Sequence, residues 1–266
     1  MPIRPMTFRE LLDVPFALIQ ANLPALAWAS ALSLVTAELV ILACTAGAAR
    51  LTGDTDEAVA WAAILSTLAC VWLLRGVLRA VTVAVGLASV AGAPIGWRTA
   101  LRRAGAVAGP LLVFQLLYTL IGIGVLALSS PLIVTFPFGL LWLGRLRGTR
   151  FVAVPAMFIE QSPHRVAVAR AKLLVAGAEW QTVGLWCVQR ALLVLLAVPL
   201  LGIPWYLSDF SGTHRWAVIA LLTSGALLIV AFGEVVEAAT RVVSYIDRRC
   251  RREGLDIHVP GLEVRP

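Results

Sequence analysis

Hydrophobic positions along this chain fall into two patterns. Six stretches are apolar on every side for about 20 residues, and three shorter ones mix apolar and polar positions at helical spacing. An unbroken apolar run of about 20 residues matches a helix crossing a hydrocarbon layer about 30 Å thick. The expected spans run from Leu23 to Ala48, from Ala58 into the Arg75 region, and from Val107 to Leu128. The other three run from near Pro131 to the Arg145–Arg150 region, from Thr182 to Leu207, and onward from Trp216.

The three mixed stretches predict amphipathic surface helices. In the first, Thr7 and Glu10 stand at capping-box spacing, and Phe8, Leu11, Leu12 and Ile19 share a face opposite Arg9 and Asp13. The second places Trp97, Leu101 and Ala104 on one side. The third begins with Ser162 as cap and Pro163 at the first helical position. Its expected apolar stripe is Val166, Ala169, Leu173, Ala176 and Trp180, with Arg165, Lys172 and Glu179 on the wet side. Each precedes a pair of spans. The fold expected is therefore an all-α integral membrane protein with six transmembrane helices in three degenerate repeats, each preceded by a cytoplasmic amphipathic helix. The repeat units are about 1–91, 92–160 and 161–255, with a cytoplasmic tail at 256–266, all within a single polytopic domain.

Composition and charge set the orientation. Of 266 residues, 60% are hydrophobic and 14% charged, against about 25% charged in soluble domains. The net charge is +7, carried almost wholly by Arg, since Lys172 is the one Lys. Basic loops alternate with neutral or acidic ones: "WRTALRR", the Arg145–Lys172 segment and "DRRCRRE" are basic, while "RLTGDTDEA" is acidic. The positive-inside rule then puts both termini in the cytoplasm of a multi-pass plasma-membrane protein and accounts for the charge without nucleic acid. Trp61, Trp205, Tyr206 and Trp216 fall at outer span ends, and Trp28, Trp97 and Trp180 near inner ends, as an interfacial belt requires. The Arg- and Ala-rich usage suggests a bacterial, GC-rich origin. Glu10 and Asp13 interrupt what would be the apolar region of a signal peptide, so the N-terminus reads as mature sequence.

The returning spans carry charges near their inner ends. Glu234, Glu237, Arg241 and Tyr245 are three, four and four residues apart and share one helical face. Arg75 and Arg79 form a similar ladder. Arg75 and Glu234 each lie roughly 26 Å below the outer face. Charges facing lipid are costly, so these should turn inward. Two readings follow. One is a salt-bridge belt pairing Glu237 with Arg241 and Glu234 with Arg75 or Arg79. The other is an anionic head-group or phosphate site built from Arg75, Arg79, Arg145 and Arg150, because a guanidinium fork donates two hydrogen bonds to a phosphate. Glu38, in the outer half of the first span, is the lone carboxylate that could couple to protons.

No GxSxG, phosphate-binding loop or dinucleotide fingerprint occurs. Cys44, Cys70, Cys187 and Cys250 are scattered, and His164, His214 and His258 lack metal spacing, so no cofactor, metal or catalytic residue is expected. The tail "YIDRRCRREGLDI" resembles the Y-x-D-L-R-x-R-x-E-G-x-D signature of a membrane domain found with some glycerophosphoryl diester phosphodiesterases. Tyr245, Asp247, Arg249, Arg251, Glu253, Gly254 and Asp256 match, and Arg248 stands where that pattern has Leu. "RPMTFRELLDVPFALIQAN" and "AVPAMFIEQSPHRVAVARAKLLVAGAEW" are similar to the family's opening surface helix and its Val-Pro…Glu segment. The resemblance implies a six-span bacterial membrane domain. The catalytic barrel has no counterpart here, so it does not imply the enzyme's activity. The expected function is that of a non-catalytic scaffold or accessory subunit in envelope lipid handling. Its partners would be the bilayer, anionic phospholipid among its lipids, and other membrane proteins. The alternative is a transporter or lipid-binding carrier using the Arg/Glu belt; a membrane-embedded hydrolase ranks behind both.

Overall fold

A computed structural model describes residues 4–131, 134–211 and 215–254. Among these, all regular structure is helical. The order is α1 (Phe8–Ala21), α2 (Leu23–Leu51), α3 (Asp56–Val90), α4 (Trp97–Ala106), α5 (Ala108–Ser129), α6 (Phe136–Gly148), α7 (Ala153–Glu160), α8 (His164–Val175), α9 (Glu179–Ser211) and α10 (Arg215–Glu253). Five of them, α2, α3, α5, α9 and α10, are long and apolar enough to cross a membrane.

Exposure divides the molecule into two zones. The long helices present bare hydrophobic faces: Trp28, Leu32 and Leu39 on α2, Leu116, Leu120 and Ile123 on α5, and Val194, Leu195 and Val198 on α9. Such faces would aggregate in water and are suited to acyl chains. The second zone is a packed core at the ends of α3 and α10, where α1, α7 and α8 gather. Met6, Leu11, Phe151, Met157, Leu174, Val242 and Tyr245 are all essentially inaccessible there. α3 and α10 run about 50–60 Å at 1.5 Å per residue. They thus exceed a hydrocarbon thickness of about 30 Å, and their surplus length builds this core.

Parallel packing of α3 and α10 is fixed at two levels. At their start, Arg215 pairs with Asp54 and Asp56. Lower down, Arg75 and Arg79 meet Glu234. Arg75 follows the first residue of α3 by 75 − 56 = 19 positions, and Glu234 follows that of α10 by 234 − 215 = 19. Equal offsets put both partners about 28 Å from the helix starts.

The region expected as a fourth span is shorter than the apolar pattern suggested. α6 has 13 residues, about 20 Å, and is separated from α7 by a tight turn over residues 149–152. There Arg150 N–H donates to Arg147 O at 3.2 Å and Phe151 N–H to Gly148 O at 3.1 Å, the i to i+3 spacing of a 3₁₀ turn. Phe151 and Val152 are driven into the core at the turn. Residue 155, which would donate to Phe151 O in a continuous helix, is Pro and has no N–H. Arg241 Nη1 donates to that carbonyl instead, at 3.0 Å.

The third surface helix also differs from its expected stripe. α8 starts at His164 with Pro163 as cap, and Ser162 makes no capping hydrogen bond. Ala167, Ala171, Leu174 and Val175 are buried, whereas Val166, Leu173 and Trp180 are more than half exposed. Both faces are apolar, and close packing selects the one with small alanines. The bulkier face is left outward. Gly177, at φ +79°, breaks the helix, so Ala176 and Trp180 do not continue α8. In α1 the Thr7–Glu10 capping box closes, with Thr7 N–H donating to Glu10 Oε2 at 2.8 Å and Glu10 N–H to Thr7 Oγ1 at 3.3 Å. Leu11, Pro15 and Leu18 are the residues it buries.

Candidate functional site, a buried arginine cluster

Helix α10 supplies the carboxylates. Glu234 accepts from Arg79 Nε at 2.6 Å and from Arg75 Nε at 2.9 Å. Glu237, one turn on, accepts from Arg241 Nη2 of the same helix at 2.5 Å and from Arg190 of α9. Glu234, Glu237, Arg79 and Arg241 are almost completely buried. Both arrangements anticipated for a salt-bridge belt, in-helix and cross-helix, are therefore present.

The pairing is not complete, because positive charge is in excess. Arg147 of α6 enters the same cluster and makes no ion pair among the described residues. Its guanidinium lies 4.6 Å from the Tyr118 ring and 5.7 Å from the Trp186 ring. Arg190 also packs on Trp186, at 5.5 Å, and Arg241 on Tyr118, at 5.9 Å. Among the described residues, five guanidinium groups (Arg75, Arg79, Arg147, Arg190, Arg241) thus surround two carboxylates, leaving 5 − 2 = +3. Glycine admits Arg147, since a Cβ on Gly122 would stand 2.8 Å from its Nη2.

Unused donors gather at the same place. The N–H at Nε of Arg147, Arg190 and Arg241, the Tyr118 hydroxyl and Trp186 Nε1–H are buried and make no hydrogen bond to protein among the described residues. Buried donors ordinarily find acceptors. A group rich in acceptors and carrying negative charge would complement this set. A small cavity of about 30 Å³ borders two of these groups, Arg147 and Tyr118, and is lined also by Arg75, Arg79, Trp72, Gln115 and Thr119.

Arg145 and Arg150 stand apart from this cluster, which corrects their assignment to the belt. Arg145 is exposed and faces Glu179 at 3.7 Å, and Arg150 donates to Leu146 O at 2.8 Å. Both line a surface pocket of about 660 Å³ with Trp142, Lys172 and Trp180. For Arg145 the geometric reason is phase, since two residues at 100° each turn it about 200° away from Arg147; Arg150 lies past the end of α6, in the turn that leads to α7. Arg147 and Arg190 were legible only as members of basic or mixed segments. Glu38 lies outside the cluster; its Oε1 accepts from Thr223 Oγ1 at 2.8 Å and its Oε2 is buried without a partner.

The tail signature forms a latch. Asp247, fully buried, accepts from Met6 N–H at 2.7 Å and Arg251 Nε at 3.0 Å, while Arg251 Nη2 donates to Met6 O at 2.5 Å. Arg249 pairs with Glu253 at 2.7 Å, and Arg170 bridges Glu253 to Glu160. Tyr245 fills the core beneath Arg249. Arg248 is buried and donates to Gln181 at 2.8 Å. Gly254 ends α10 at φ +62°, a left-handed conformation that favours glycine. Asp256 and the 256–266 tail lie outside the described residues. Among the described residues, no group of His, Cys, Asp and Glu could hold a metal ion.

Comparison with family models, with curated proteins and with solved structures yields no match for this chain. The chain is thus placed by its own architecture: among the described residues it is all-helical, with five helices long and apolar enough to cross a membrane, consistent with a multi-pass membrane protein, and an arginine-rich cluster.

Proposed function

We propose that this protein is a non-catalytic, lipid-handling membrane protein that binds the anionic head group of a phospholipid at the inner boundary of a bacterial plasma membrane. The observation that carries the reading is the +3 excess, coincident with five unused buried donors. Low dielectric makes uncompensated cations costly, and a phosphate would neutralise them while accepting their hydrogen bonds. This favours the carrier or lipid-binding alternative over a scaffold held by ion pairs alone.

The reading includes six crossings. Met6 is bonded to Asp247 and Arg251, so the two ends of the described chain share one side of the molecule. An even number of crossings is then required, and α6, packed with α5 and α9, is the sixth. A 13-residue helix crosses only with local thinning or support from its neighbours. The three-repeat grouping becomes α1–α3, α4–α7 and α8–α10, and the basic inner loops put the shared side in the cytoplasm.

The test is lipid analysis of protein purified in mild detergent. Wild type is expected to retain anionic phospholipid, and Arg147→Met to lose it while eluting as a folded species. Retention by Arg147→Met, or purification of wild type free of anionic lipid, refutes the reading.

A further inference from the structure

An apolar groove of about 370 Å³ runs beside the arginine cavity, walled by α3, α4 and α5. Leu73 and Val77 form one side, Leu112 and Ala108 the other, and Leu101 and Gly105 the floor. From Ala108 to Gln115 it follows α5 for about 10 Å, starting from the inner surface helix α4. Lipid-facing walls elsewhere are apolar too, but this one is concave and shares two lining residues, Trp72 and Gln115, with the cavity that holds Arg75, Arg79 and Arg147.

The shared residues form a partition. Gln115 Nε2 donates to Trp72 O at 2.5 Å, and Trp72 Nε1 donates to Thr119 Oγ1 at 3.0 Å. The Gln115 amide lies over Gly76, where a Cβ would stand 2.8 Å from Oε1. At about 30 Å³ the cavity behind it has room for little more than one water. Rotation of the Gln115 side chain would join it to the groove.

Resting on the head-group reading above, we propose that the groove takes an acyl chain of an anionic diacyl phospholipid from the inner leaflet. With the Gln115 side chain rotated aside, cavity and groove become one space, at whose edge the phosphate meets Arg75, Arg79 and Arg147. Charge complementarity selects the ligand: chains alone would accept any lipid, and an arginine cavity opening onto an apolar groove selects an anion bearing a tail. The lipid approaches sideways from the bilayer.

The test is titration of the full-length protein in detergent, followed by native mass spectrometry, with dioleoyl phosphatidylglycerol, dioleoyl phosphatidylcholine and inorganic phosphate as probes. Gly105→Phe and Ala108→Phe each project a ring into the groove; a Cβ on Gly105 meets no atom within 4 Å, so the fold has room for it. Gly109→Phe, equally unobstructed and outside the groove, is the control. Wild type and Gly109→Phe should bind phosphatidylglycerol at least about tenfold more tightly than phosphatidylcholine, and both groove variants should lose about tenfold or more in phosphatidylglycerol affinity. Unchanged affinity in both groove variants overturns the groove while leaving the head-group reading intact. Inorganic phosphate binding as tightly as phosphatidylglycerol overturns it as well, since the tail would then contribute nothing. Unchanged affinity in Arg147→Met removes both readings together.

Discussion

Glu234→Gln and Arg147→Met change the same cluster by one charge in opposite directions, and their effects on stability should differ sharply. Glu234 takes charge-assisted hydrogen bonds from Arg79 at 2.6 Å and Arg75 at 2.9 Å while almost wholly buried. Gln keeps the shape but leaves one acceptor oxygen, turns an NH₂ toward a guanidinium, and raises the local excess from +3 to +4. Breaking a buried pair in this way costs roughly 3–5 kcal/mol. Arg147→Met lowers the excess to +2. It forfeits stacking on Tyr118 and Trp186, about 0.5–2 kcal/mol each, and removes a cation whose burial costs several kcal/mol. The two terms nearly cancel, within about 1 kcal/mol. At about 2–4 °C per kcal/mol for chains of roughly this size, Glu234→Gln should lower the unfolding midpoint by about 6–20 °C and Arg147→Met by no more than a few degrees. Nine tryptophans supply the fluorescence signal. Scans should run at a fixed heating rate in detergent without phosphate or added lipid, because the midpoint is rate-dependent if unfolding is irreversible. If Arg147→Met falls as far as Glu234→Gln, Arg147 is a required structural cation and the excess charge marks no anion site.

Three further outcomes follow from the same geometry. Asp247→Asn weakens the acceptor shared by Met6 N–H and Arg251, so limited proteolysis should cleave ahead of α1 faster than in wild type; an unchanged cleavage rate would remove the latch. Arg4, helped by the Thr7 backbone and hydroxyl, holds the Glu10 carboxyl down to about 2, from an ordinary 4.5. A depressed carboxylate stabilises above its unfolded value and loses that contribution as pH falls through its folded one, so first-turn amides of α1 should exchange faster as pH drops from about 4.5 to 2. That excess over the intrinsic exchange rate should vanish in Glu10→Gln. Reporter fusions at residue 1 and at residue 266 should both read as cytoplasmic, and opposite sides for the two ends would contradict an even number of crossings.

Much of the architecture is legible in residue order because it depends on local composition. Five of the expected spans coincide with long helices, since an unbroken apolar run has one helical solution in lipid. The Thr7–Glu10 cap and the Glu237–Arg241 pair lie within one turn of chain, where spacing alone brings side chains together. The α6–α7 break was less accessible, because a tight turn among Gly148–Val152 and a missing N–H at Pro155 do not interrupt apolarity.

Residue order alone indicates long apolar helices able to cross a membrane, and shows that Arg75, Arg79, Glu234, Glu237 and Arg241 would seek partners at a common depth. Hydropathy and helical spacing are properties of neighbouring residues, so they survive without coordinates. Which arginines joined them came from the assembled helices: Arg147 and Arg190 in, Arg145 and Arg150 out. That choice depends on the rotation of α6 and α9 about their axes. Packing against distant helices sets that rotation, here through Val183, which would stand 2.8 Å from a Cβ on Gly148. The unbalanced charge, and with it the case for a ligand, therefore exists only once separate helices are assembled.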